Sequence, residues 1–444
     1  MSAISSALNR PDHPTTADTS PTRSSATTQP APRPQEANHH VPDIGDADEP
    51  TNRTTTSAAD LDAVRLARAY LLRVAEPPAP ALAAFVATVG AVTAAELVRA
   101  GTAPPAVLDV TVARKEIDLA EEDLVAAAGV GARLLIPEDD EWPAWPFVAL
   151  DLASARGVRW AGHPIALWAR GTGHLGEFTE RAVAVVGARA ATGYGDHLAT
   201  EFGYELAGNG LTVVSGAAYG IDGAAHRGAI AAGGRTIAVL GCGVDQPYPL
   251  GHATLLDTIA EHGLVLSEYP PATPPARHRF LVRNRLIAAS AAGTVVIEAG
   301  RRSGARNTAA TAQALGRVVL AVPGPVTSAM SVGCHELLRS GDAYLVSNAA
   351  EVMESIGPVG IDLVEPVRAE TRPTDRLDDQ QLRVHEALSR SEALSPEQIS
   401  AGSGVPLERV RAALPLLELV DLAEHTESGW RQLTRGKRGE ETMR

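Results

Sequence analysis

The sequence is short of several residue types, and each shortage excludes something. Only two of its 444 residues are cysteine, Cys242 and Cys334, far apart in the chain. A disulfide scaffold and a cysteine-rich zinc site are thereby excluded, and a reducing cytoplasm is the expected setting. Lysine is almost missing: Lys115 and Lys437 stand alone and every other basic residue is arginine. No apolar run approaches the roughly 18 residues that a membrane span needs, so no span is expected. The N-terminus lacks the charged start and apolar stretch of a secretory signal. Acids outnumber bases to give a net charge of −14. Taken alone, that balance disfavours nucleic acid as a partner, so any such partner requires a locally basic site.

What is present divides the chain into segments. Residues 1–57 hold 8 prolines and 17 serines or threonines, with only Met1, Ile4, Leu8, Val41 and Ile44 as large apolar residues. Such a segment cannot bury enough surface to offset its chain entropy, and a disordered tail is expected. Over residues 58–135 the pattern is helical: Leu61, Val64, Ala67, Leu71 and Val74 fall on one helix face. Pro77-Pro78 stops that helix, and helices through Ala81–Val89 and Ala94–Ala100 complete a small bundle. The stretch after Gly90 reads either as core packing or as a phosphate-gripping helix-hairpin-helix. Residues 129–180 read as irregular, with Trp142, Trp145, Trp160 and Trp168 as packing residues and Pro164–Arg170 as a strand.

From Ala182 to about Met353, short apolar strands alternate with helices. The strands are Ala182–Gly187, Leu211–Ser215, Thr236–Leu240, Leu264–Ser267, Gly293–Glu298 and Val318–Val322. The helices are His197–Gly208, Ile221–Ala232, Ala253–His262, Val282–Ala291 and Arg306–Leu315. Continuous apolar strands separated by helices predict an α/β domain with a mostly parallel, doubly wound, Rossmann-like sheet over residues 136–357. A linker is expected at 358–378. Three helices and a strand pair over 379–435 predict a winged-helix-like domain, followed by a tail at 436–444. With 7 basic against 10 acidic residues over 376–436, a protein-contact or structural role suits that domain better than reading DNA.

In open α/β sheets the site lies at the carboxyl ends of the strands, which selects the loops to read. The first strand runs into Gly187-Ala188-Arg189 and then Thr192-Gly193-Tyr194-Gly195, a glycine turn feeding a helix N-terminus, which suits an anion. It lacks the G-x-G-x-x-G spacing, and the second strand ends Ser215-Gly216 without the acid that a dinucleotide ribose needs. The loop Ser215-Gly216-Ala217-Ala218-Tyr219-Gly220 would let a ligand backbone approach closely. Asp222 and His226 share a helix face there, either as half of an acid/base or metal site or as a loop-holding pair. Between Arg277 and Arg306 lie seven arginines and one acid, Glu298, a local balance of +6. Arg277, Arg279, Arg283 and Arg285 surround Phe280. That arrangement supplies charge for phosphates and a ring for base stacking, the two parts of a single-strand site; Phe280 could equally be a core residue. Ser303-Gly304, opening a helix with Arg306, could cradle a further phosphate.

At these residues the sequence resembles the DNA-processing protein A (DprA, also called Smf) family. The shared motifs are Val186-Gly187-Ala188-Arg189 with Thr192-Gly193-Tyr194-Gly195, Ser215-Gly216 with Gly220-Ile221-Asp222 and Ala225-His226, and Gly243 with Tyr248-Pro249. Ser267-Glu268, Phe280-x-x-Arg283-Asn284-Arg285, Ser303-Gly304 with Thr308-Ala309, and Pro323-Gly324 continue them in family order over residues 180–350. The resemblance implies a sterile-alpha-motif-like helical domain before the Rossmann-like one and a winged helix after it. It implies no catalysis and no cofactor. The partners implied are single-stranded DNA, which such proteins shield, and a RecA-type recombinase, which they load during natural transformation, acting as homodimers through the Rossmann-like domain. Carried to matching positions, the family's DNA contacts fall on Arg189, Arg277, Phe280, Arg283, Asn284 and Arg285. The sequence departs from the family at Ala217, at Tyr219, where a basic residue is common, and at Ala305-Arg306-Asn307. A rival reading is a Rossmann-like phosphoribohydrolase acting on a nucleotide-like molecule. That family's glycine-rich loop is followed by a glutamate, whereas Ala309–Leu315 contains no acid.

Overall fold

The computed structural model describes residues 58–357 and 373–433. The tail expected at 1–57, linker residues 358–372 and the chain from 434 onward lie outside the described residues. Five helices come first: α1 (Ala58–Val74), α2 (Pro80–Val89), α3 (Ala91–Ala100), α4 (Pro105–Thr111) and α5 (Ala120–Gly129). Proline stands at the first position of α2 and α4, where no intrahelical N–H bond is lost. Tyr70, Leu71, Leu82, Ala94 and Val98 form the centre of their core.

The segment expected to be irregular is ordered. It contains β1 (Ala132–Leu135), α6 (Ala144–Ala155), β2 (Leu167–Arg170), which is the strand expected over Pro164–Arg170, and α7 (Leu175–Glu180). Trp168 is wholly buried and Trp142 packs edge-on against Phe147, but Trp145 is 83% exposed, so the tryptophans do not all serve packing. The expected domain boundary at residue 135 falls at the end of β1, an edge strand of the main sheet. Leu134, Ala166 and Trp168 face the helical bundle and share its core.

The alternating region then supplies β3 (Ala182–Val186), α8 (Gly193–Gly208), β4 (Thr212–Ser215), α9 (Ile221–Ala231), β5 (Thr236–Leu240), α10 (Ala253–His262), β6 (Leu264–Ser267), α11 (Arg277–Ala289), β7 (Gly293–Val296), α12 (Gly304–Ala314), β8 (Val318–Ala321), α13 (Val332–Ser340), β9 (Tyr344–Leu345) and α14 (Ala349–Ile356). The nine strands form one sheet in the order β1-β2-β6-β5-β4-β3-β7-β8-β9. From β6 to β9 all neighbours are parallel, while β2 runs antiparallel to both β1 and β6. Both faces are covered, as the apolar strands require: Val183, Val185 and Val213 pack under α8 and α9, and Ala184, Val186 and Val214 pack toward α11 and α12 on the other side. The fold class is therefore α/β with a doubly wound, mostly parallel Rossmann-like sheet. Strand order reverses between β3 and β7, which makes their carboxyl ends the switch point.

Beyond residue 373, α15 (Asp379–Ala387), α16 (Pro396–Ser403) and α17 (Leu407–Leu419) precede the hairpin β10 (Ala423–Thr426) and β11 (Gly429–Gln432). Asp378 with Gln381 and Ser395 with Gln398 form capping boxes at α15 and α16. Val384, Ile399, Val410 and Leu417 form a small core of their own. Among the described residues no single helix is long and apolar enough to cross a membrane.

Candidate nucleic-acid interface

The switch point itself is filled. Glu298, buried just beyond β7, accepts hydrogen bonds from the Thr192 amide (2.9 Å) and hydroxyl (2.6 Å). The Thr192 hydroxyl oxygen in turn accepts from the Gly195 amide (3.2 Å), capping α8. A Cβ at Gly195 would overlap the Glu298 carboxylate. The helix end expected to take a phosphate thus already holds a protein carboxylate. The neighbouring amides are engaged too: Ala188 N–H donates to the Glu298 carbonyl (2.8 Å), and the amides of Gly187, Gly216 and Ala218 bond the buried Asp222 carboxylate. Burial pushes the Asp222 carboxyl up, against the pull of the Arg283 charge and these amides. The phosphate seat read from the glycine turn is corrected accordingly.

Asp222 holds the loop, but His226 is not its partner. His226 Nδ1 lies 2.7 Å from Thr236 Oγ1, and burial, reinforced by the charges of His252, Arg283 and Arg227, holds the ring at about 3, so it is neutral. Burial pushes the thiols of Cys242 and Cys334 up to about 12. Among the described residues no group of three or more His, Cys, Asp or Glu side chains is placed to hold a metal ion.

An open site lies to one side of the switch point, over the ends of β3, β4 and β5. Helix α11 delivers it, beginning at Arg277 rather than at the expected Val282. Helical phase therefore applies to every arginine of the cluster. Arg277 and Phe280 share the exposed side of its first turns. Phe280 is half-buried and rests on the loop after β5, where a Cβ at Gly241 would lie 2.9 Å from Phe280 Cδ1. The exposed Arg189 holds its guanidinium carbon 5.3 Å from the centre of the Phe280 ring and makes no ion pair among the described residues. Tyr248 stacks on Phe280 at 5.0 Å with 26° between the planes. Tyr219 is exposed and meets the His252 ring edge-on at 4.8 Å, while His252 Nδ1 donates to the Ala217 carbonyl (3.0 Å). Gly220 adopts φ +76°, and a Cβ there would overlap the Ala188 carbonyl, so glycine is required for these two loops to meet.

The Arg283-Asn284-Arg285 motif divides by phase. Arg283 lies beneath this site: Nη1 donates to the Val239 carbonyl (2.5 Å), and a Cβ at Gly216 would overlap its guanidinium. Burial lowers its pKa, opposed by the Asp222 charge. Asn284 Nδ2 donates to Asn307 Oδ1 (3.0 Å), tying α11 to α12. Arg285 is corrected as a site residue. Two positions from Arg283, it leaves the helix about 160° away, is 1% exposed, and bonds both Glu268 oxygens at 2.7 Å and the Gly162 carbonyl at 2.9 Å.

The local balance of +6 also shrinks in space, because acids arrive from other elements. Glu76 pairs with Arg279 (2.7 Å), Arg114 (2.7 Å) and His278 (3.1 Å), and Glu336 takes Arg306 (2.7 Å) and Arg301 (3.4 Å). Ser303 stands at the N-cap of α12 with its hydroxyl buried and without a hydrogen-bond partner among the described residues, beside the exposed Gly304. Sequence reasoning missed Tyr248 and His252 as members of this site, although Tyr248-Pro249 was visible as a motif, and it missed Glu298 as the occupant of the helix end.

Comparison with known proteins agrees with the motif resemblance. The family model described as DNA recombination-mediator protein A matches residues 133–357. A DprA-named relative from Mycobacterium tuberculosis is 50% identical over 380 residues, covering 85% of this chain and 96% of its own. The DNA processing protein DprA of Streptococcus pneumoniae is 42% identical over 190 residues, 43% of this chain and 66% of that protein. The X-ray structure of DprA from Streptococcus pneumoniae superimposes with a TM-score of 0.52 at 29% identity, covering 67% of this chain and 97% of that one. A family match over about half of the sequence, alignment over 96% of the mycobacterial relative, and the superposition with the streptococcal structure lead to one conclusion: the chain belongs to the DNA-processing protein A (DprA/Smf) family.

Proposed function

We propose that this chain binds single-stranded DNA over the ends of β3, β4 and β5. In this reading it is a recombination mediator that shields incoming strands in natural transformation and loads a RecA-type recombinase onto them. The observation that carries the DNA reading is the Arg189 guanidinium over the Phe280 ring, without an ion-pair partner among the described residues, with Arg283 at their base. A permanent cation beside an accessible aromatic surface offers a phosphate and a base what each needs, without selecting a sequence. Arg277, Tyr219, Ser303 and Gly304 would extend the path of the strand. The recombinase and homodimer parts of the proposal rest on family membership. The helices of 58–135 would be the sterile-alpha-motif-like domain, and 379–435 a winged-helix-like domain for protein contacts. No catalytic step and no cofactor belong to the proposal. The rival enzyme reading is disfavoured because Glu298 occupies the helix end that a nucleotide phosphate would use.

The test is binding to oligo-dT as a function of salt. Arg189→Glu is expected to weaken binding and to reduce the slope of log affinity against log salt by roughly 0.7, the value for one phosphate contact on a single strand. Unchanged affinity would overturn the assignment. Strand exchange by a RecA-type protein on DNA coated with single-strand-binding protein, with and without this chain, tests the loading step.

A further inference from the structure

We propose that the outer face of α6 is a docking surface for α17 of a second copy of this chain. The proposal does not depend on the single-strand reading. On α6, Phe147, Leu150 and Ala153 face the core. Trp145, Val148 and Leu152 lie on the opposite side at spacings of three and four, and Trp145 and Leu152 are 83% and 60% exposed. A helix that is apolar on both sides belongs in an interior, so its bare side marks an interaction surface. The rim of this face is cationic. Arg317 donates to the Pro146 carbonyl (2.8 Å) in the first turn of α6, and Arg156, just past its last turn, donates to the Ala314 carbonyl (3.0 Å). The exposed Arg159 follows. None of these three arginines makes an ion pair among the described residues, and Asp151 is the only acid in α6.

Helix α17 carries the complementary face. Val410, Ala413, Leu414 and Leu417 enter the small core of their own domain. Ala412, Pro415, Leu416, Leu419 and Val420 form an exposed stripe on the other side, with Leu419 81% exposed. The exposed Glu408 and Glu418 border the stripe. The two arginines of α17 are engaged within the domain: Arg411 pairs with Glu397 (2.7 Å) and Arg409 donates to Gln380 Oε1 (2.9 Å). One face therefore offers cations around an apolar stripe and the other offers acids, and each stripe runs for about two helical turns. Both are bare within one chain, so the contact joins two copies. A chain at −14 repels its own copies, and a local cationic patch is what lets them meet. Because the two surfaces differ, the contact is head-to-tail: a copy meets one neighbour through α6 and another through α17. Its small area makes the association weak and concentration-dependent.

The experiment is sedimentation velocity of the full chain from about 2 to 200 µM, a range that brackets a contact of this size. The wild type is expected to grow in mass beyond the smallest species present at low concentration, and added salt should reduce the growth. Trp145→Asp and Leu419→Asp change exposed positions and should melt like the wild type. Each should weaken self-association about ten-fold or more, as for a lost anchor residue. An equimolar mixture of the two variants should associate again, because one keeps an intact α17 and the other an intact α6. Arg156→Glu combined with Arg159→Glu should also weaken self-association. Acrylamide quenching of Trp145, taken as the difference from Trp145→Phe, should decline as the wild type is concentrated. The proposal is overturned if the wild type does not grow in mass, if either aspartate variant associates like the wild type, or if their mixture stays dissociated, which would mean that each face pairs with its own kind. Shielding of Trp145 at every concentration would overturn it as well, by showing that another segment of the same chain covers α6.

Discussion

Arg283 and Arg285 show how differently two residues of one motif can be used. Arg283 reaches the base of the open site, while Arg285 serves the interior as a bidentate partner of Glu268. Removing one member of a buried ion pair leaves the other unpaired, at a cost of about 3–5 kcal/mol. Arg285→Ala is therefore expected to lower the unfolding free energy by that amount, read as a lower urea midpoint at unchanged m, and to retain oligo-dT affinity at temperatures where the protein remains folded. Replacing both partners with Met at 285 and Leu at 268 should restore much of the stability. The presence of arginine around Phe280 was legible in the sequence, but the division of labour was not. Glu76 lies 203 residues from Arg279, Glu336 lies 35 from Arg301, and Glu268, 17 from Arg285, also stands outside the arginine-rich stretch, so a local count of charge could not include them.

Among the elements, the parallel strands β3 to β8 were read to within two residues, because strands buried on both faces are continuous apolar runs, whereas the two-residue, exposed β9 was missed. Strand β1 was missed: Ala132–Leu135 is four residues long and carries Arg133, whose guanidinium bonds Glu141 and the carbonyls of Gly171 and Gly173. The start of α11 was misplaced for a physical reason as well. Ala276 provides no side-chain cap, and Arg277, His278 and Arg279 oppose the helix dipole, so the first turn lacks every start signal. At α8 the opposite holds: its amino end is supplied with an anion by Glu298. Glu298→Ala should cost about 1–3 kcal/mol through the unsatisfied Thr192 groups. It should also create a vacant anion seat, so that added inorganic phosphate raises the melting temperature of the variant and not of the wild type. Equal responses of the two proteins would refute this role.

At the scale of the whole molecule, Glu76 joins the helical bundle to the first turn of α11. Burial alone would raise its carboxyl, but hydrogen bonds from Arg279, Arg114 and His278, with the Arg279 charge, outweigh burial and hold it at about 2 instead of 4.5. A carboxyl depressed in the folded state stabilises fully above its unfolded value, and that contribution fades as pH falls from about 4.5 toward 2. Protection of the α11 amides, measured by hydrogen exchange and corrected for the intrinsic pH dependence of the exchange rate, should fall through this window in the wild type, and Glu76→Gln should already be less protected at neutral pH, with the acid-dependent component reduced. Identical profiles would mean that the bundle does not steady α11. The charge distribution has the same lesson. The chain as a whole is at −14, yet Arg189 is left without a carboxylate partner among the described residues.

The carboxylate lodged at the amino end of α8 has one more consequence, for a protein working in a cell. Free nucleotides and other phosphorylated metabolites are abundant there, and a vacant seat of this kind would respond to them. With Glu298 bonded to Thr192 at that place, the seat is closed to such anions, and a strand following the proposed path beside it would not compete with metabolites at α8.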